Sequence, residues 1–188
     1  MEMRDQILTS AQRLVQQRGF NGFSYADIAV EVGIRKASLH HHFPTKTDLG
    51  LALIEVYSER LNSVLLNISG SSLTAVAKLN AYVALYRSSL EAERMCLGGM
   101  LASEALTLDA TMLPSLKRFF NRNIEWLTEI LTEGNLQQLF VLNSSATNHA
   151  RMLLSALQGA LLIARATGDR EAFEQTASSL MTGLTRKG

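Results

Sequence analysis

GFSYADIAVEVGIRKASLHHHFPTKTDL, residues 22–49, decides the fold, because it carries two short helices together with the signals that start and stop each. Ser24 with Asp27 three residues on is a capping-box start for YADIAVEV, and Gly33 is the left-handed residue that commonly ends a helix. A second short helix begins near Arg35 and must stop before Pro44, since the residue preceding proline is pushed out of helical geometry. Thr45 with Asp48 repeats the capping pattern and opens a longer helix through Leu51, Ile54, Tyr57, Leu61 and Leu65. Ile28, Ala29, Val32, Ile34, Leu39 and Phe43 are the apolar and small positions that fix the crossing of the two short helices.

Upstream, Ile7, Ala11, Leu14 and Val15 recur at helical spacing, so a first helix is expected over 3–18 and ends at Gly19. Downstream, ISGSS at 68–72 is the clearest break, and further helices are expected at about 73–92, 97–106, 112–131, 145–166 and 170–184. With Pro44 and Pro114 the only prolines, the chain reads as all-α, nine helices in two domains. A net charge of +1 gives no overall pull toward a polyanion, so any such contact depends on local placement. The single cysteine, Cys96, excludes an intrachain disulfide and favours a reducing compartment. No stretch reads as a secretion signal or a membrane span, and the expectation is a soluble, cytoplasmic protein with no membrane partner.

A two-turn helix, a glycine turn and a second short helix form the helix-turn-helix arrangement, whose second member lies in the DNA major groove. Once its apolar positions are removed, that second helix presents Arg35, Lys36, Ser38, His40, His41 and in part His42. This is a set of donors without a carboxylate, suited to phosphates and base edges. Adjacent helical residues point about 100° apart, so the three histidines cannot converge on one metal ion. No metal site is expected. No Ser/His/Asp set or glycine-rich phosphate loop stands out, and neither a catalytic residue nor a cofactor is expected.

The stretch resembles the N-terminal signature of the TetR family of transcriptional regulators, G-[VI]-x-x-x-x-L-[YH]-x-H-F-x-x-K-x-x-L. The spacing is kept through Ile28, Ala29, Gly33, Ile34, Leu39, His42, Phe43, Lys46 and Leu49. The resemblance implies a DNA-binding head over 1–48 and a ligand-binding and dimerisation domain over 49–188. It implies DNA contacts from Ser24, Tyr25, Arg35, Lys36, Ala37, Ser38, His40, His41 and Lys46. Lys46 is expected to combine its charge with a helix N-terminus to hold a phosphate, so that its loss should flatten the salt dependence of binding. Arg35 stands where a Ser or Thr often caps the recognition helix, and His40 where a Tyr often touches the DNA backbone. Expected partners are a palindromic double-stranded operator, a second copy of the chain, and an unidentified small-molecule effector.

For dimerisation the sequence offers Leu153, Leu157, Gly159, Ala160 and Ile163 in the eighth helix and Phe173, Leu180 and Leu184 in the ninth. A helix apolar all round must be covered on both sides, and a helix buried within one protomer satisfies the same pattern. For an effector pocket it offers Tyr82, Tyr86, Cys96, Met100, Phe119, Asn123 and Trp126, a mixture that also describes an ordinary core. The paired glycines of LGGM, residues 97–100, weaken a helix start and permit close approach or a bend. The reading is a ligand-responsive repressor. The alternatives are a repressor sensing redox state through Cys96, and a helical adaptor that binds protein without DNA.

Overall fold

The structure, a computed structural model, describes residues 2–185. Among these residues the regular structure is helical: α1 (Met3–Arg18), α2 (Tyr25–Val32), α3 (Lys36–His42), α4 (Lys46–Ser69), α5 (Ala75–Glu91), α6 (Leu97–Ser103), α7 (Leu113–Leu136), α8 (Ala146–Thr167) and α9 (Arg170–Leu184). The expected boundaries hold within a residue or two for most elements. Two do not. Helix α6 stops at Ser103 rather than Leu106, because the chain turns there, with the Thr107 and Leu108 amides donating to the Glu104 carbonyl at 2.8 and 3.1 Å. Helix α7 continues past Leu131 to Leu136, where Gly134 lets the Phe140 ring come so close that a Cβ would meet it at 2.2 Å.

The helices form two compact units. The first comprises the residues up to Arg60 together with Arg94–Phe119, and the second Leu61–Glu93 and the residues from Phe120 onward. In the first, Ile7, Ala11, Leu14 and Val15 of α1 are all but fully buried, as are Ile28, Leu39 and Leu49. Leu97 and Leu101 of α6 belong to this same core. The Gly98 side of α6 is so close to Phe119 that a Cβ would come within 2.3 Å of its ring. The glycine pair therefore serves close approach. The helix runs through it from Leu97 without a break.

In the second unit, α8 and α9 pack on each other across a turn made by Gly168, left-handed at φ 73°, and Asp169, whose carboxylate accepts the Ala172 amide at 3.0 Å. Ser145 caps α8 by accepting the Asn148 amide at 3.1 Å. Two ion pairs tie α5 to its neighbours. Lys78, 7% exposed, donates to both carboxylate oxygens of Glu133 on α7, and Arg87 holds Glu174 on α9 through two bonds of 2.6 Å.

Candidate nucleic-acid interface and effector residues

The α2–α3 pair is built as the sequence predicts. The Asp27 carboxylate accepts from both the backbone N–H and the hydroxyl of Ser24, at 2.7 and 2.6 Å, and the Ser24 hydroxyl first, then its amide, hold that carboxyl below the usual range. Gly33 closes α2 at φ 74°, and the Ala29 carbonyl accepts the Gly33 and Ile34 amides, each at 3.0 Å. Ile28 and Leu39 are fully buried and Phe43 nearly so, which turns the opposite side of α3 outward. Arg35, Lys36, Ala37, Ser38, His40 and His41 are exposed, and His42 is half-buried. No side chain caps the start of α3 at Arg35. The carboxylates of α2 are engaged elsewhere: Glu31 is gripped by Arg13 of α1 through two contacts, and Asp27 lies 3.8 Å from Arg18. The exposed face of α3 is thus basic and donor-rich.

The imidazole of His40 leans on the Tyr25 ring, with centroids 4.8 Å apart, and its Nδ1 lies 3.2 Å from the Pro44 carbonyl oxygen. A carbonyl can only accept, so Nδ1 carries the proton and Nε2 is the nitrogen left for another partner. Among the described residues no three His, Cys, Asp or Glu side chains are grouped to hold a metal ion.

Two of the nominated DNA contacts are placed for another task. Tyr25 is buried, and its hydroxyl is directed at the Phe43 and Thr45 carbonyls, at 2.9 and 2.6 Å, pinning α2 to the α3–α4 connection. Burial, with the nearby Asp48 carboxylate, pushes this phenol up to about 12. Lys46 is half-buried, and its ammonium donates to the Phe23 carbonyl while lying 4.2 and 4.9 Å from the ring centroids of Phe23 and Phe20. Desolvation lowers its pKa, against the pull of Glu104 and Asp27. The placement of this side chain is decided by two phenylalanines upstream, which the spacing at Lys46 itself could not reveal.

The effector candidates divide between the units. Tyr82, Tyr86, Asn123 and Trp126 come together in the second. Tyr82 donates to Asn123 Oδ1 at 3.0 Å, its oxygen lies 3.3 Å from the Tyr86 hydroxyl, and Gln158 Nε2 donates to Tyr86 at 3.2 Å. Trp126 stacks on Tyr82 at 5.4 Å, and its N–H faces the Leu65 carbonyl and the Ser69 hydroxyl. Gln158 was missed by the sequence reading, although a lone amide on the otherwise apolar stripe of α8 was the signal. Its Oε1 is buried without a partner. Cys96, Met100 and Phe119 belong to the first unit, where the buried Cys96 thiol accepts from the Tyr57 hydroxyl at 3.9 Å and Phe119 lies 5.7 Å from the Tyr57 ring. A groove of about 370 Å³ runs between α5 and α9, bounded by Asn80, Arg87, Glu174, Met181 and Thr182, and none of the nominated residues lines it.

The dimerisation candidates also separate. Leu153, Leu157, Phe173 and Leu184 are 0–3% exposed, in the core of the protomer itself, and leave no surface for a partner. Gly159 and Ala160 are half-buried and Ile163 is 59% exposed, on a face shared with Met152 at 51% and Leu162 at 52%. Leu180 is half-buried. A Cβ at Gly159 would meet nothing within 4 Å, so the protomer's own packing does not require glycine there.

The first quarter of the chain, residues 7–53, matches the family model described as bacterial regulatory proteins, tetR family. A TetR-family transcriptional regulator from Agrobacterium tumefaciens is 32% identical, superposes with a TM-score of 0.94, and is aligned over 97% of both chains. A TetR transcriptional regulator from Legionella pneumophila is 33% identical, with a TM-score of 0.90 and 98% of both chains covered. Among characterised relatives, the HTH-type transcriptional repressor DhaR of Mycobacterium sp. (strain GP1) is 23% identical over 97% of this chain and 92% of its own.

Proposed function

The chain belongs to the TetR family of helix-turn-helix transcriptional regulators, and from that premise we propose that it is a homodimeric repressor released from a palindromic operator by a small, mostly apolar molecule. The observation that carries the DNA-reading part is the exposed face of α3, where Arg35, Lys36, Ser38, His40 and His41 stand without a carboxylate. Lys36 and Arg35 offer phosphate or guanine contacts, and Ser38 and Ala37 lie where a base edge can be reached. His40 can donate to a phosphate from Nε2 only as an imidazolium, since Nδ1 already serves Pro44. Ser24 is exposed at the α2 N-terminus, where a phosphate would have to displace the Asp27 carboxylate from its amide and hydroxyl.

One recognition helix reads one half-site, so a palindrome calls for two copies. The apolar face of α8, with Met152, Gly159, Leu162 and Ile163, suits a second copy of itself. The proposed division of labour is a head over 1–48 and a sensing and dimerising remainder over 49–188. The effector is assigned to the neighbourhood of Tyr82, Tyr86, Asn123, Trp126 and Gln158, where aromatic rings and a few amide groups meet. A ligand that favours the DNA-incompetent shape weakens DNA affinity by the factor by which DNA weakens its own.

The test is a footprint of the purified protein on the DNA upstream of its own gene, followed by a screen for compounds that release it. A protected palindrome establishes the operator. No retarded or protected DNA, with the protein folded, removes the reading.

A further inference from the structure

We propose that Glu104 is a positioning residue for DNA binding: its carboxylate latches the α1–α2 turn to the end of α6 and so holds the helix-turn-helix in its DNA-reading pose. The inference rests on the DNA-binding reading of the head and concerns a residue outside it in sequence.

The geometry is specific. Glu104 follows directly on α6, and its Oε2 accepts the Phe20 amide at 2.6 Å while Oε1 accepts the Asn21 amide at 3.2 Å. These amides come just after α1 has ended at Gly19, where the chain turns with φ at 85°. A Cβ on Gly19 would sit 2.7 Å from Glu104 Oε1, so the carboxylate needs both the glycine's conformation and its missing side chain. Asn21 Nδ2 adds a bond to Thr107 Oγ1 at 2.7 Å. At the other end of the α6 segment, the buried Gln16 donates to the Met95 carbonyl at 2.9 Å, and the Met95 amide donates to the Gln16 carbonyl at 3.0 Å. The last turn of α1 and the turn after it are therefore gripped on both sides of α6.

What the latch holds is the approach to α2. Phe20 and Phe23 in the same turn enclose the Lys46 ammonium at the start of α4, and Phe23 immediately precedes Ser24, the cap of α2. The Glu104 carboxylate also attracts that ammonium. One carboxylate thus joins the end of α6, the α1–α2 turn and, through the Phe cage, the first residue of α4. It binds no nucleotide in this arrangement and acts through the backbone it fixes.

The decisive feature of a test is its sign. Removing a negative charge from a DNA-binding protein raises its affinity through the long-range field, whereas loss of the latch lowers it. Duplexes selected by the wild-type protein from a random pool are titrated with E104Q and T107V over a range of potassium chloride concentrations. Measurement at 25 °C, with folding verified by circular dichroism, keeps a merely stabilising role from moving the dissociation constant. The expected result for E104Q is a dissociation constant raised about tenfold, equivalent to about 1.4 kcal/mol. An unchanged salt slope and faster hydrogen exchange at the Phe20 and Asn21 amides accompany it. T107V, which removes the Asn21–Thr107 bond and the Thr107 hydroxyl's bond to the Glu104 carbonyl but leaves the carboxylate in place, gives a smaller change in the same direction. A folded E104Q that binds as tightly as the wild type, or more tightly, overturns the proposal. If the wild-type protein selects no duplex, the DNA-binding reading falls and the proposal with it.

Discussion

Replacing Lys46 by methionine keeps the aliphatic stem but removes the ammonium that Phe20, Phe23 and the Phe23 carbonyl enclose. A charge-assisted hydrogen bond is worth about 1.5–3 kcal/mol net. Each cation–π contact adds about 0.5–1 kcal/mol at an exposed site and about 2 when desolvated. Against this stands the burial that lowers the pKa of Lys46, which shows that the protein charges part of the gain to desolvation. The terms are not additive, and a net loss of about 1–3 kcal/mol is expected, which for a chain of this size lowers the melting temperature by about 3–9 °C. Because the ammonium is committed to the α1–α2 turn, the slope of log affinity against log salt should stay unchanged. Lys36→Ala is the counterpart: its exposed ammonium should carry a phosphate, so the slope falls by about 0.9 while the melting temperature holds. Thermal unfolding and a salt series of binding isotherms on both variants decide the matter. If Lys46→Met flattens the slope by about 0.9 and melts like the wild type, the cage opens on DNA and Lys46 is a phosphate ligand after all.

The Tyr25 phenol, pushed up to about 12 in the fold, stays neutral in the folded state where the unfolded chain would ionise near 10. Its contribution is therefore complete below pH 10 and disappears as pH rises through about 12; in Tyr25→Phe that alkaline loss vanishes from a denaturation series, and a wild-type-like profile in the variant refutes the assignment. Gly98→Ala places a Cβ 2.3 Å from the Phe119 ring. Overpacking of about 1–3 kcal/mol exceeds the helix-propensity gain of about 1 kcal/mol, so a lower melting temperature is expected and an equal or higher one contradicts the close packing. Ile163→Arg puts a charge in the middle of the apolar face of α8 and should give a monomer by light scattering; a persistent dimer would move the interface elsewhere.

Local chemistry explains why so much of the head was legible in the sequence. Caps, stops and helical periodicity are decided by residues within four positions of one another, and Ser24/Asp27, Gly33, Pro44 and Thr45/Asp48 set boundaries that the structure keeps. The exposed face of α3 followed by subtraction, since Leu39 and Phe43 had to go inward. The two misplaced ends are set by the turns that follow the helices, where the Thr107 and Leu108 amides close on the Glu104 carbonyl and Phe140 seats against Gly134. The tasks of Tyr25 and Lys46 depend on carbonyls 18 to 23 residues away in sequence.

The sequence by itself determined that this chain is helical, that it carries a helix-turn-helix, and which side of α3 is basic, because periodicity and capping are short-range properties. Tertiary structure decided which apolar residues of α8 are core and which are surface, since packing buries Leu153 and Leu157 and leaves Met152 and Ile163 exposed. It also decided the tasks of the polar groups. Lys46 and Tyr25 look like DNA contacts until their donors are found on the Phe23, Phe43 and Thr45 carbonyls, and a hydrogen bond has a direction and a partner that no spacing within the sequence specifies.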